Sequence, residues 1–469
     1  MGRLAALTKR AVDAWDVFTG ASPLSYDVSG GGKRLRNWRP SLATAPQAMQ
    51  LTGVGLARCR DLARNNPWAR RGIEATVAAA VGANGLRLLP EFNDSARKKR
   101  TQTEFTRWSD QCDYEGLRDL PGFTADVLRT VMVDGSALVL FRTEPGRVPL
   151  QLQLLSVDSL DRSRTSDRVV DGVEFDAAGQ RVAYWLYRTP GDTFNSSTRI
   201  PADWVSHVFM PPAPGCQTGT SWLAPAAVAL RELQSYTESE LTRAQTAASF
   251  AGWIQPADSS PTFLDTEEGT TWQPGTIARL RPGEILQFND PPESPSYEPF
   301  VRCQLRAIAV ALGIPYETLS GDIGQTTYAS GRLARIDWRA RLEVVQHSLL
   351  SYQFMRPVWD RWLRYALMAG VLEGTADDYR PVRFSAPTLS MLNAREEVAA
   401  LLSSVRAGFV SRSEVIESVY GLDPETVENE VGRDNSRADA LGLIFDSDAR
   451  RTSMQGQAQQ QTEGDGNAG

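Results

Sequence analysis

Between Trp222 and Trp253 the chain has no proline after Pro225 and no glycine before Gly252, and Leu223, Leu230, Leu233, Leu241, Ala244 and Ala248 recur at helical spacings. One helix over that stretch would be roughly 45 Å long at 1.5 Å per residue, and a rod of that length needs partners along its sides. Residues 255–299 then turn rich in proline and glycine, and Thr276 to Phe288 reads as two short strands joined at Pro282-Gly283. Helical character resumes from Phe300 to Leu312 and stops at Gly313-Ile314-Pro315, where glycine and proline together forbid continuation. The pattern predicts two helices packed antiparallel, with a compact β insertion carried at the tip of a stalk.

The remainder predicts an α+β body. Residues 1–50 alternate basic clusters such as Arg34-Leu-Arg36-Asn-Trp38-Arg39 with Gly and Pro, as an extended arm would. Helices are expected over Leu56 to Val81, Arg97 to Tyr114 and Phe123 to Asp134, the last ending at Gly135. Strands are expected over Ala137 to Arg142 and Leu150 to Leu155, with a hairpin turning at Ala178-Gly179 before Arg181 to Tyr187. After a polar loop from Gly321 to Tyr328, a long helical region runs from Ser330 to Ala369 with a kink at Arg356-Pro357. Shorter helices over Arg395 to Ala407, Ser411 to Tyr420 and Asp423 to Leu441 close the fold. Residues 413–448 carry ten Asp/Glu against two Arg, and the Gln/Gly-rich tail from Thr452 is expected to be disordered.

The chemistry that would mark an enzyme is missing. His207 and His347 stand alone, without a paired metal motif. Gly32-Lys33 fails as a phosphate loop because Asp27 holds the first glycine position and Arg34 replaces Ser/Thr. The GxSxG nucleophile elbow is absent, and Ser330-Gly331 follows Ala329 instead. Asp158, Asp161 and Asp322 could be drawn as a metal cluster but read as turn formers. Cys59, Cys112, Cys216 and Cys303 lack CxxC spacing and are expected to be reduced thiols. No signal-peptide core opens the chain, and no apolar run approaches the roughly 18 residues of a membrane span. We therefore expect no catalysis, no cofactor and no membrane.

A net charge of -6 argues against a protein that coats nucleic acid, which needs a large Lys/Arg excess. A local excess does occur: residues 332–364 hold seven Arg against three Asp/Glu. Arg332, Arg335 and Arg339 share one helix face, either towards DNA phosphates or as a solvated or subunit-contact face.

Several stretches, in order and spacing, resemble the lambda-type family of tailed-phage portal proteins. They are Arg60-Asp-Leu-Ala-Arg64-Asn65-Asn66, Val81-Gly82-Ala-Asn-Gly85, Trp108-Ser-Asp-Gln-Cys-Asp113-Tyr-Glu-Gly116 and Val133-Asp134-Gly135. Further on come Gly172-Val-Glu-Phe-Asp176, Val182-Ala-Tyr184, His207-Val-Phe and Gly215-Cys-Gln217-Thr-Gly219. The series ends with Leu312-Gly-Ile-Pro315-Tyr316-Glu-Thr-Leu319-Ser-Gly-Asp322 and Tyr328-Ala-Ser330-Gly-Arg332. The chain departs from the pattern at Thr218, where an Arg is usual.

The resemblance implies a non-enzymatic head-tail connector: a ring of usually twelve copies at one capsid vertex, through which double-stranded DNA is packaged and ejected without sequence specificity. It divides the chain into an arm (1–50), an α/β wing (51–221), stem helices (222–253 and 300–315) and a β clip (254–299). A channel loop (316–330), a kinked long helix with wing return (331–390), a helical crown (391–448) and a tail (449–469) follow. It implies Gln325, Thr326, Thr327 and Tyr328 at the channel, and Arg332, Arg335 and Arg339 towards DNA or a neighbouring subunit. Arg279, Arg281 and Glu284 fall in the clip where the terminase motor docks. The implied partners also include the major capsid and scaffold proteins and the head-tail adaptor, with assembly in the bacterial cytoplasm and residence in the virion. The alternatives are another structural head or adaptor protein of the particle, or a DNA-packaging enzyme.

Overall fold

The structure is a computed structural model that describes residues 43–44, 53–188, 197–249, 252–256, 284–288, 297–324, 326–391, 393–445, 448 and 450–452. The expected arm and tail therefore lie almost wholly outside the described residues. What is described is a mixture of helices and small antiparallel sheets.

The first helical stretch is two helices, α1 (Gly53–Asn65) and α2 (Pro67–Val81), where the sequence suggested one. Proline disfavours helical backbone in the residue before it, so Asn66 turns extended. Its side chain then accepts from the Trp68 and Ala69 amides, capping α2. After β1 (Arg87–Pro90), α3 (Ser95–Ser109) starts on an Asp94 cap. Helix α4 (Leu120–Asp134) starts on Asp119 and ends at Gly135, whose φ of 85° is left-handed.

Strand β2 (Ser136–Arg142) lies between β3 (Gln151–Leu155) and β8 (Val205–Phe209), antiparallel to both. Both faces of β2 are buried, following the alternation of a strand. Ala137, Val139 and Phe141 enter a large helical core, while Leu138 and Leu140 enter a smaller one with Leu160, Val173, Tyr184 and Leu186. The smaller core lies under a four-stranded meander of β4 (Val169–Val170), β5 (Val173–Phe175), β6 (Arg181–Leu186) and β7 (Thr198–Pro201).

The long run after Trp222 is shorter as a helix than its sequence suggested. Ala224–Ala226 forms a 3-10 turn around Pro225, α5 spans Ala227–Ser249, and Gly252 already starts strand β9 (Gly252–Pro256), which takes in Trp253. At 1.5 Å per residue α5 is about 35 Å long. Strand β10 (Glu284–Phe288) pairs antiparallel with β9; the other strand and the Pro282-Gly283 turn of the expected hairpin lie outside the described residues.

Helix α6 (Tyr297–Leu312) runs beside α5, with Tyr236 of α5 at 5.9 Å from the Tyr297 ring and 4.8 Å from the Phe300 ring. It ends at Gly313, left-handed at φ 66°, where a side chain would collide with the Arg341 guanidinium. Then α7 (Tyr316–Ser320) and α8 (Tyr328–Val345) follow.

The expected proline kink is a longer irregularity. Gln346–Met355 is π-helical, and α9 (Arg356–Met368) resumes at Pro357. In α-helical register Pro357 would have to donate to the Gln353 carbonyl, and it has no N–H. The Ser206 hydroxyl on β8 donates to that carbonyl instead, at 2.7 Å, and the Phe209 amide donates to the Gln353 side chain at 2.9 Å. The free edge of β8 is thereby covered by the widened turn. Trp359 and Trp362 of α9 stack at 5.2 Å inside the large core, edge-on to Phe105. Strand β11 (Val382–Ser385) pairs with β1 and leads to α10 (Ala394–Arg406), α11 (Arg412–Tyr420) and α12 (Pro424–Leu441).

Ser206 is 4% exposed, so Ser206→Ala leaves a part-buried carbonyl without this donor. It should lower unfolding stability by about 1–3 kcal/mol in urea denaturation; an unchanged midpoint would show that the π segment does not depend on β8.

Candidate functional site

The loop from Gly321 to Thr327 is built on Asp322. Its carboxylate accepts from the Gly324 amide and the Tyr316 hydroxyl, both at 3.1 Å, and lies 3.6 Å from Arg302. The amide and then the hydroxyl hold its pKa below the usual carboxylate range. Thr326 donates to Glu317 at 3.2 Å, and Thr327 caps α8 by accepting from the Ser330 amide. Tyr328, expected in the loop, is the first residue of α8, because the Thr327 cap starts the helix there. Gln325 lies outside the described residues, and Ile323 (74%) and Tyr328 (54%) project into solvent.

The three arginines beyond the loop have different fates. Arg335 donates to the Ser390 carbonyl at 2.6 Å and Arg339 pairs with Glu343 at 2.8 Å. Arg332 is exposed, with no partner among the described residues. Arg279 and Arg281 lie outside the described residues, and Glu284 opens β10 opposite Pro256.

The three aspartates drawn as a possible metal cluster are separately engaged. Asp158 pairs with Arg60 at 2.6 Å. Asp161 accepts from the hydroxyls of Ser163, Tyr187 and Ser197, and these bonds hold its pKa down to about 2 against the opposing effect of burial. Asp322 holds the loop. Among the described residues no group of three or more His, Cys, Asp or Glu is placed to hold a metal ion, and no helix is long and apolar enough to cross a membrane.

What the sequence did not reveal is a clamp between distant stretches. Arg60 holds both oxygens of Asp134 at 2.8 Å as a bidentate pair while its third nitrogen reaches Asp158. Next to Asp134, a side chain on Gly135 would collide with the Gly219 carbonyl, and the Gly219 amide donates to Ser136 at 2.9 Å. Arg60, Asp134-Gly135 and Gly219 thus hold α1, α4 and the strand that follows in register. They are structural residues.

A family model described as phage portal protein, lambda family, matches residues 31–346, about two thirds of the chain. The chain belongs to the lambda family of phage portal proteins. Curated portal proteins match it as well. A probable portal protein of Halomonas phage phiHAP-1 is 25% identical over 426 residues, covering 82% of this chain and 80% of that one. Portal protein B of Escherichia phage lambda is 24% identical over 367 residues, covering 65% and 67%. Among solved structures, a chain of the neck of a native gene transfer agent particle, computed with C12 symmetry, aligns with a TM-score of 0.48 at 17% identity over 79% of this chain and 94% of that one. A portal protein of the HK97 family from Corynebacterium diphtheriae aligns with a TM-score of 0.35 at 10% identity, over 74% and 96%.

The histidine that falls in a family stretch, His207, is a core residue. Its ring packs 4.5 Å from Phe209 and 5.6 Å from Tyr184, and neither nitrogen has a hydrogen-bond partner. Burial, helped by Arg181 and Arg162, depresses its pKa from 6.5 to about 3. The folded chain keeps His207 neutral, while the unfolded chain takes up a proton below pH 6.5. Its contribution is therefore complete above pH 6.5 and is lost as the pH falls towards 3, at about 1.4 kcal/mol per pH unit. The melting temperature of the natural chain should fall more steeply between pH 6.5 and 4.5 than that of His207→Phe; parallel slopes would contradict this.

Proposed function

We propose that the chain is one subunit of a closed portal ring at a capsid vertex, and that double-stranded DNA passes through the ring during packaging and ejection. The observation that carries the reading is the pairing of α5 with α6, joined by the β9–β10 ladder at the point where the chain leaves one helix for the other. Such a pair makes a stem, and repeating it around an axis makes a tube. Small residues on α5, including Ala227 and Ala244, permit close packing of neighbouring stems.

In this reading residues 254–299 form the clip that docks the terminase motor and later the head-tail connector proteins. The loop around Asp322, with Thr326, Thr327 and the exposed Tyr328, lines the channel. An acidic chain suits this task, because DNA must slide and a strongly basic wall would hold it. The helical block from α10 to α12 forms the crown towards the head interior, beside the major capsid and scaffold proteins. Assembly takes place in the host cytoplasm and the product resides in the virion. The ring performs no catalysis of its own; the motor supplies the work.

Replacing residues 257–283 with a short Gly-Ser turn keeps both strands of the ladder. The variant should still form rings, seen by negative-stain microscopy, while terminase co-sedimentation is lost. Loss of the rings would contradict the assignment of the insertion to motor docking.

A further inference from the structure

Helix α8 is 18 residues long, yet its buried residues are Leu342 and Val345 alone, both in its last turn. Upstream it presents Leu333 (69% exposed) and Ile336 (56%) three residues apart, hence on one face, beside the exposed and unpaired Arg332. A second uncovered surface has the opposite charge. On α12, Val431 is exposed between Glu428 and Asp434, each three residues away, and neither carboxylate has a partner among the described residues. The α8 surface is apolar and flanked by Arg332 on one side and the exposed Asp337 on the other, the α12 surface is apolar and acidic, and neither is covered among the described residues.

We infer that these two surfaces meet between copies: the Leu333/Ile336 face of α8 in one subunit packs on the Val431 face of α12 in the next, with Arg332 set against Glu428 and Asp434. Two different patches meeting head to tail make a heterologous contact, the kind that generates a closed ring when the rotation permits. The inference rests on the ring reading and deepens it by naming the contact. It assigns Arg332 to a neighbouring subunit, not to DNA. The apolar pair supplies the burial, and Arg332 against the two carboxylates orients the contact.

The test uses the full-length chain carrying Cys303→Ser, which removes the exposed thiol, together with Leu333→Cys and Val431→Cys. Rings are isolated, oxidised and run on a non-reducing gel. The expected result is a ladder of covalent multimers from the double variant and none from either single-cysteine variant, with Arg332→Glu reducing ring yield and Arg332→Glu/Glu428→Arg restoring it. Intact rings that run as monomers, or a ladder from Leu333→Cys alone, would overturn this pairing and leave the ring reading standing. Failure of the natural chain to form rings would overturn both.

Discussion

A helix draws most of its stability in water from the apolar face it buries, and before Leu342 α8 has no fully buried residue, with Trp338 partly buried against the large core. Helix α10 goes further and has no buried residue at all, although Val398 and Leu402 line one side of it. Neither element is complete in one chain. The strand and helix body can stand alone, because β2 is covered on both faces and the aromatic cluster around Trp359 and Trp362 is sealed. Among the described residues nothing covers those faces, and in the ring reading closure of identical copies supplies cover at every position with one set of contacts.

Several of the stretches that resemble the family serve to build the body. Arg60, Asp134 and Gly135 fix how α1 and α4 meet, and Gly313 lets α6 turn under Arg341. Truncating Arg60 would leave Asp134, whose side chain is 11% exposed, as a carboxylate without its bidentate partner. These residues hold the frame on which a loop and a stalk are carried.

Much of this was legible from local signals. The helices beginning at Ser411 and Asp423 and the end of α4 at Gly135 were placed from the sequence, whereas the caps at Asp94 and Asp119 start α3 and α4 earlier than the expected Arg97 and Phe123. Signals that need the rest of the fold were not legible. Asn66-Pro67 carried a local warning that the helical alternation around it obscured. The π segment depends on Ser206, 147 residues away from the carbonyl it serves. The pairing of β10 with β9 joins Glu284 to Pro256 across 27 intervening residues, a partnership that local turn signals do not announce. In the candidate site, the sequence placed Arg332, Arg335 and Arg339 on one face. It could not show that Ser390 and Glu343 occupy two of them.

The most direct measurement is the mass of the native assembly of the full-length chain, by native mass spectrometry at near-neutral pH. The account predicts one discrete high-order species, an integer multiple of the 51.6 kDa subunit, that persists on dilution. A folded 51.6 kDa monomer, with α8 and α10 protected from hydrogen exchange while alone, would contradict it.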